Sequence, residues 1–329
     1  MHNLITDVPG IRVGHAGSPK LGSGTTVVMF ERPVTASVDV RGGGPGTRET
    51  ALLDPAQTVE GIDAIVLSGG SAFGLDAASG TQAYLRELGR GFKVREAIVP
   101  IVPAAILFDL LSGGDKNWGR YPPYREFGYD AAKAASIDVP LGSVGAGLGA
   151  TTVNLKGGIG SASARTSTGH IVGALVAVNA AGSVTVGDSP HFWAAPFEQG
   201  DEFGGRGISH SFGPDAFEMR TKGAPGQNTT LAVVATDAKL SKAQCHRLAV
   251  MAQTGMARAI YPVHTPLDGD VVFAAAMGDK ELENPVYGLT ELGMVAANVL
   301  SRAIARGVFA ARALNFPVAL ASWMDWHAQ

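Results

Sequence analysis

Apolar residues fall along this chain in short β-branched runs closed off by Gly, Pro, Asp or Asn, which is how strands are punctuated. Six runs predict strands: TTVVMF at 25–30, ASVDV at 36–40, DAIVL at 63–67, HIVGALVAV at 170–178, TTLAVVAT at 229–236 and DVVFAAA at 270–276. Helix signals lie between them. Ser71 predicts the cap of a helix over about 73–88, and Ser241 with Gln244 forms a capping box for a helix reaching about Arg258. A third helix is expected over about 289–306, where Leu292, Val295, Ala296, Val299 and Leu300 recur near period 3.6. The alternation predicts an α/β fold built in layers.

The stretch 187–226 breaks this rhythm. It carries Pro190, Pro196, Pro214 and Pro225, many glycines and aromatics without period, and runs through GAPGQN into an apolar strand. A loop this long inside a compact chain is usually functional or mobile. It is either a surface excursion covering an edge or a flexible arm that delivers the Asn228–Thr229 bond into a site.

With 329 residues, 46% of them apolar and 17% charged, the chain can bury one large core, so a single domain over 1–329 is expected. The 44 glycines and 18 prolines argue against a helix bundle and suit short strands joined by tight turns. A net charge of −3 without any Lys/Arg cluster gives no field to hold a phosphate backbone, so no nucleic-acid partner is expected. The single Cys245 cannot form an internal disulfide, and the start MHNLITDVPG lacks a basic segment followed by an apolar run. The uncharged apolar stretch 97–108 is broken by Pro100 and Pro103 and is shorter than the ~20 residues a membrane span needs. These features predict a soluble, cytoplasmic protein.

Thr229 stands out chemically because it follows a Gly/Pro segment and opens an apolar strand, so a cut before it would leave a new N-terminus held by a sheet. A terminal threonine supplies its own base: an α-amino group with an ordinary pKa near ~8 can take the hydroxyl proton. An Asn-Thr-Thr triplet before a strand is otherwise a turn. In YPVHTPLDGD at 261–270, Asp268 and Asp270 stand two apart before an apolar run, and strand geometry beginning that early would aim both carboxylates at one face. Two such acids repel, so one holds a proton or both seek a cation; the alternative is a polar turn. His264 with the two acids would make a metal set, but no further ligand follows at familiar spacing, and no metal or cofactor is expected. Lys156, in the nearly uncharged TTVNLKGGIG, has the surroundings that depress a lysine pKa, and Asn179 ends the strand LVAVN where its amide can donate to an oxyanion. Snorkelling and turn closure are the plainer roles for these two.

Two glycine motifs compete. LSGGSAFGLDAASG at 67–80 looks like a nucleophile elbow at Ser71, but the second glycine comes one place late, at Gly74. GAGLGA at 145–150 fits a loose dinucleotide pattern, but the following TTVNLKGG does not read as a helix. Both, like RGGGPG at 41–46, read as close-packing turns able to present backbone N–H groups.

Together ITDVPGIRVGHA, DVRGGGPGTRETALLDP, LSGGSAFGLDAASG, the pre-strand NTT and HTPLDGD resemble the family of DmpA-type aminopeptidases, β-peptidyl aminopeptidases and nylon-oligomer hydrolases, over nearly the whole chain. The resemblance implies a layered αββα sandwich of the N-terminal-nucleophile-hydrolase kind and self-cleavage into chains 1–228 and 229–329, assembled as a tetramer of αβ units. It also implies a small peptide or amide substrate. By the nylon-hydrolase pattern Thr229 is the nucleophile, Asn228–Thr229 the autocleavage site, and Asp268 and Asp270 the paired acids, with Lys156 and Asn179 completing the catalytic set. The aminopeptidase branch has Ser and a Ser-x-Glu pair at the positions of Thr229 and Asp-x-Asp, and the nylon branch has Tyr where this chain has the substrate-binding candidate Phe108. Rival expectations are an acyltransferase of the ornithine acetyltransferase type, a serine hydrolase using Ser71, and a non-enzymatic small-molecule-binding protein.

Overall fold

The computed structural model describes residues 1–220, 222 and 228–327. The strands are β1 (Ile11–Ser18), β2 (Ser23–Val40), β3 (Thr47–Arg48), β4 (Ile62–Ser68), β5 (Phe92–Val94), β6 (Ala97–Val99), β7 (Ala104–Ile106), β8 (Ile159–Arg165), β9 (Ile171–Asn179), β10 (Thr229–Ala238) and β11 (Val271–Lys280). The helices are α1 (Ala77–Glu87), α2 (Tyr124–Lys133), α3 (Lys242–Ala259), α4 (Pro285–Phe309) and α5 (Trp323–His327).

The two runs TTVVMF and ASVDV are halves of the single strand β2. Glu31 to Pro33 between them are exposed, and a register irregularity between Met29 and Val34 absorbs the proline that signals a break in the sequence. The first half of β2 pairs with β1 and β4, the second half with β11, so one strand joins two sheets in the order β3-β7-β4-β2-β11-β10-β9-β8.

Side-chain alternation along these strands makes the layers. In β2 and β4, Val28, Phe30, Ile65 and Leu67 enter one core, while Val27, Met29, Ala64 and Val66 enter a second with Ala77, Leu85 and Ala131 of α1 and α2. In β9 and β10, Leu175, Ala177, Leu231 and Val233 enter the first core from the other side. Val176, Val178, Ala232 and Val234 pack outward against Leu248, Ala252, Leu300 and Ile304 of α3 and α4. Helices, sheet, sheet and helices stack in four layers, the αββα sandwich expected from the resemblance. α4 is long and apolar enough to cross a membrane, but most of it is buried among α3, β8 and β9.

Ser71 caps nothing. Gly70, at φ +87°, precedes a 3-10 turn over Ser71–Asp76, and the α-helix begins only at Ala77; position 70 takes glycine because a Cβ there would stand 2.1 Å from the Tyr124 ring. The Ser241/Gln244 capping box forms as the sequence indicates, at the head of α3.

Three neighbouring strand ends set the site. β10 runs antiparallel to β9 and parallel to β11, which places Thr229, the first residue of β10, opposite Asn179, the last of β9. The turn carrying Asp268 and Asp270 then enters β11 beside them.

Candidate active site

Thr229 is buried at the mouth of the sheet, its hydroxyl hydrogen-bonded to the carbonyl oxygen of Asn228. That carbonyl also accepts from the backbone N–H of Gly269 at 3.1 Å. A donor is therefore in place on the oxygen that would become negative if the Thr229 hydroxyl attacked the Asn228 carbon. Gly269 must be glycine for this approach: a Cβ there would lie 2.6 Å from Thr229 Oγ1 and 2.9 Å from the Gly44 carbonyl oxygen.

Asp268 and Asp270 are both buried, but β11 begins at Val271, so the pair lies on the turn before the strand and is held by turn contacts. Asp268 accepts from the Thr265 N–H at 3.0 Å, the Thr265 hydroxyl at 2.9 Å and the Ala181 N–H at 3.3 Å. Asp270 accepts from the Thr230 N–H at 2.7 Å, the His264 N–H at 3.1 Å and His264 Nδ1 at 2.9 Å. Among the described residues neither acid hydrogen-bonds to Thr229 itself; Asp270 grips the next backbone N–H and so fixes the start of β10. Burial and the neighbouring Asp270 push Asp268 up to about 6. The glycines of RGGGPG fit against this turn, with the Gly42 N–H donating to Asp270 O and the Gly44 N–H to Asp268 O. Among the described residues no three His, Cys, Asp or Glu side chains group as a metal site.

Lys156 is fully buried and donates its three hydrogens to the carbonyls of Gly147, Ala150 and Gly157 at 2.7 to 2.8 Å. Burial lowers its pKa to about 7, against the opposing pull of Asp109. The resemblance makes Lys156 part of the catalytic set; among the described residues no hydrogen bond joins it to Thr229, and its three donors clamp the glycine-rich loop 147–157.

Asn179 Oδ1 accepts from the Thr151 N–H at 3.0 Å, and Nδ2 donates to the carbonyl of Phe108 at 3.2 Å. Phe108, half-buried, thus meets Asn179 through its backbone. Ser71, at φ +52°, hydrogen-bonds through its backbone N–H to Leu107 O, and its hydroxyl has no hydrogen-bonded base among the described residues.

Two charged groups here escape a reading of the sequence. Asp109, fully buried, accepts from Ser23 Oγ at 2.6 Å and the Gly70 N–H at 2.8 Å, and burial raises its pKa. Its isolation in the apolar run AAILFDL was the available signal. Lys222 is partly exposed as a residue while its amine lies deep, and burial with the repulsion of Lys156 lowers it to about 7. Its surroundings, TKGAPG, read as loop, and residues 221 and 223–226 of that expected arm lie outside the described residues.

The family model described as Peptidase family S58 matches residues 3–318. An uncharacterised aminopeptidase of Mycobacterium tuberculosis is 44% identical over 331 residues, covering 94% of each chain. A 6-aminohexanoate-oligomer endohydrolase of Kocuria sp. is 26% identical over 317 residues, covering 91% of this chain and 84% of that protein. Among solved structures, a β-aminopeptidase of Burkholderia sp. matches 99% of this chain and 92% of its own, with a TM-score of 0.73 and 24% identity. An L-aminopeptidase D-Ala-esterase/amidase of Ochrobactrum anthropi, described as a variant of the Ntn hydrolase fold, matches 98% and 91% with a TM-score of 0.72 and 20% identity.

Proposed function

The chain belongs to peptidase family S58 and is a hydrolase acting on amide bonds, and from that premise we propose that it cuts its own Asn228–Thr229 bond and then works through the freed Thr229. The observation that carries this reading is the Thr229 hydroxyl lying against the Asn228 carbonyl while the Gly269 N–H holds the same oxygen.

In the first step Thr229 Oγ adds to the Asn228 carbon, and the C–N bond breaks as the nitrogen takes up a proton. Water then opens the resulting ester, leaving an Asn228 carboxylate and a free Thr229 amine. Asp268, poised near 6 but joined to Thr229 by no hydrogen bond among the described residues, is the candidate for receiving the hydroxyl proton through one bridging water before that amine exists. In turnover the amine takes over as base and the Gly269 N–H serves the substrate oxyanion. The Asn179 amide is a second candidate donor. Lys156 acts by holding loop 147–157 and by its field, and Asp270 by fixing the start of β10.

The two pieces, 1–228 and 229–329, stay one folded unit, because β10 pairs with β9 and β11 with β2 across the cut. Amides with a free amino end are the substrates to try first, including 6-aminohexanoate oligomers, the compounds named for the Kocuria relative. A tetramer of αβ units in the cytoplasm is part of the same proposal; the exposed Phe92, Val94 and Val99 of the β5–β6 hairpin supply apolar surface for assembly.

The test is hydrolysis of an aminoacyl p-nitroanilide and of a 6-aminohexanoate oligomer by wild type, Thr229→Ala and Ser71→Ala. The proposal expects Thr229→Ala to be inert and Ser71→Ala to remain active. Loss of turnover in Ser71→Ala with intact self-cleavage would hand the nucleophile's role to Ser71.

A further inference from the structure

The chain leading to the scissile bond sends an amine of its own into the site. Its approach is anchored: Arg220 pairs with Asp188 at 2.6 Å and with Glu218 at 3.5 Å, while Trp193, Phe212, Phe217 and Tyr261 gather into one aromatic cluster. Lys222 then turns inward, and its Nζ donates to the Thr151 carbonyl and to Asn179 Oδ1, each at 2.7 Å. Both acceptors belong to the frame of the site. Thr151 and Asn179 are hydrogen-bonded to each other, and Asn179 is the cross-strand partner of Thr229.

Asp268 and Asp109 act on this amine with negative charge and Lys156 with positive. Withdrawing a lysine amine from water is costly, and two acceptors offset that only in part. No hydrogen bond links it to Thr229 among the described residues, so the self-cleavage step does not account for it. Beside it lies a cavity of about 310 Å³, bounded by Met219 and Lys222 on one side, Pro262 and Leu267 on the other, and Asn228.

We infer that Thr151 O and Asn179 Oδ1 form an amine subsite, filled in the uncut chain by Lys222 and in the mature enzyme by the primary amine of a substrate. The substrate class rests on the proposed amide hydrolysis; the existence of the subsite does not. Once Asn228 is a free end, Lys222 is no longer tied to β10 and becomes a tethered competitor, with an effective concentration on the millimolar scale. Substrates with an amino group at the end of a peptide or an ω-amino-acid chain must displace it; N-acylated ones gain nothing by doing so.

The first test needs no turnover. Uncut Thr229→Ala protein is titrated calorimetrically with n-butylammonium, with and without Lys222→Met. Binding is expected only where Lys222 is replaced, with a millimolar Kd; binding to neither protein, or equally to both, overturns the subsite. If Lys222→Met fails to fold, Lys222→Leu serves instead. The second test uses the self-cleaved enzyme. Lys222→Met should lower KM for a free aminoacyl anilide about twofold, the competition expected when the tethered concentration and the Kd are both near a millimolar, and leave the N-acetylated anilide unmoved. An equal change for both would make Lys222 a steric plug and overturn amine recognition. A wild type that neither cuts itself nor hydrolyses any amide would refute the proposed function, while the titration would still decide whether the subsite exists.

Discussion

Gly269 carries two duties that no other residue type can combine: it offers its N–H to the Asn228 carbonyl and leaves room for the Thr229 hydroxyl. In Gly269→Ala a Cβ stands 2.6 Å from that hydroxyl, so self-cleavage should slow at least about tenfold, the rate equivalent of about 1.4 kcal/mol. A gel time course of freshly made protein checks this. Two of the buried site groups pull stability in opposite directions with pH. Asp268 is raised from 3.8 to about 6, so the folded chain holds this proton more tightly than the unfolded one, and the stability so gained is present below about 4 and lost as pH rises through 6. Lys156 is lowered from 10.5 to about 7, so its contribution is present above 10.5 and lost as pH falls through 7. Lys222, also lowered to about 7, adds to the Lys156 limb, while His15, lowered from 6.5 to about 4, gains stability over the range where Asp268 loses it. Urea midpoints of Thr229→Ala protein should therefore rise from pH 7 to 9, and the difference between that protein and its Asp268→Asn derivative, which isolates the Asp268 limb, should shrink as pH rises from 5 through 6. Lys156→Met leaves three buried carbonyls without their donor and should cost at least about 2 kcal/mol, read by the same denaturation. Thr229, Asp268, Asp270, Lys156 and Asn179 were legible as candidates because each is a polar residue at the edge of an apolar run. Their partners were not: no pattern in the sequence says that Lys156 spends its hydrogens on three carbonyls, or that Lys222 crosses to Asn179.

At the scale of elements, β9, β10 and β11 were readable to within a few residues, since fully buried strands are continuous apolar runs with polar ends. α3 was readable from its capping box. Ser241→Ala should cost about 1 kcal/mol and leave processing untouched, a change visible only in the melting temperature. What escaped were elements whose polar content hides their role. β1, IRVGHAGS, is half-exposed, and α2, YREFGYDAAK, places Gly128 against the Ala77 carbonyl where a Cβ would not fit. The proline-bearing middle of β2 concealed the strand that joins both sheets. Asp270 acts at this scale too, stapling the entry of β11 to the start of β10 through the Thr230 N–H. Asp270→Ala strands that donor and the His264 N–H, and should destabilise the chain by about 2 kcal/mol or more while slowing the cut, as thermal melts and intact mass would record.

Over the whole molecule the layers explain why a cut between Asn228 and Thr229 need not release anything. Both hydrophobic cores that touch β10 draw side chains from either side of the bond, and the strands on each side pair with each other. The layered class was legible from the alternation of strands and helices; the sharing of β2 between two sheets was not, because it depends on long-range pairing. The measurement that tests the central claim most directly is the intact mass, under denaturing conditions, of wild type beside Thr229→Ala. Sharing 33.8 kDa between 228 and 101 residues gives pieces of roughly 23 and roughly 10 kDa. The account predicts both pieces in wild type, the smaller beginning at Thr229, and a whole chain in the variant. A wild type that stays whole through long incubation would contradict it.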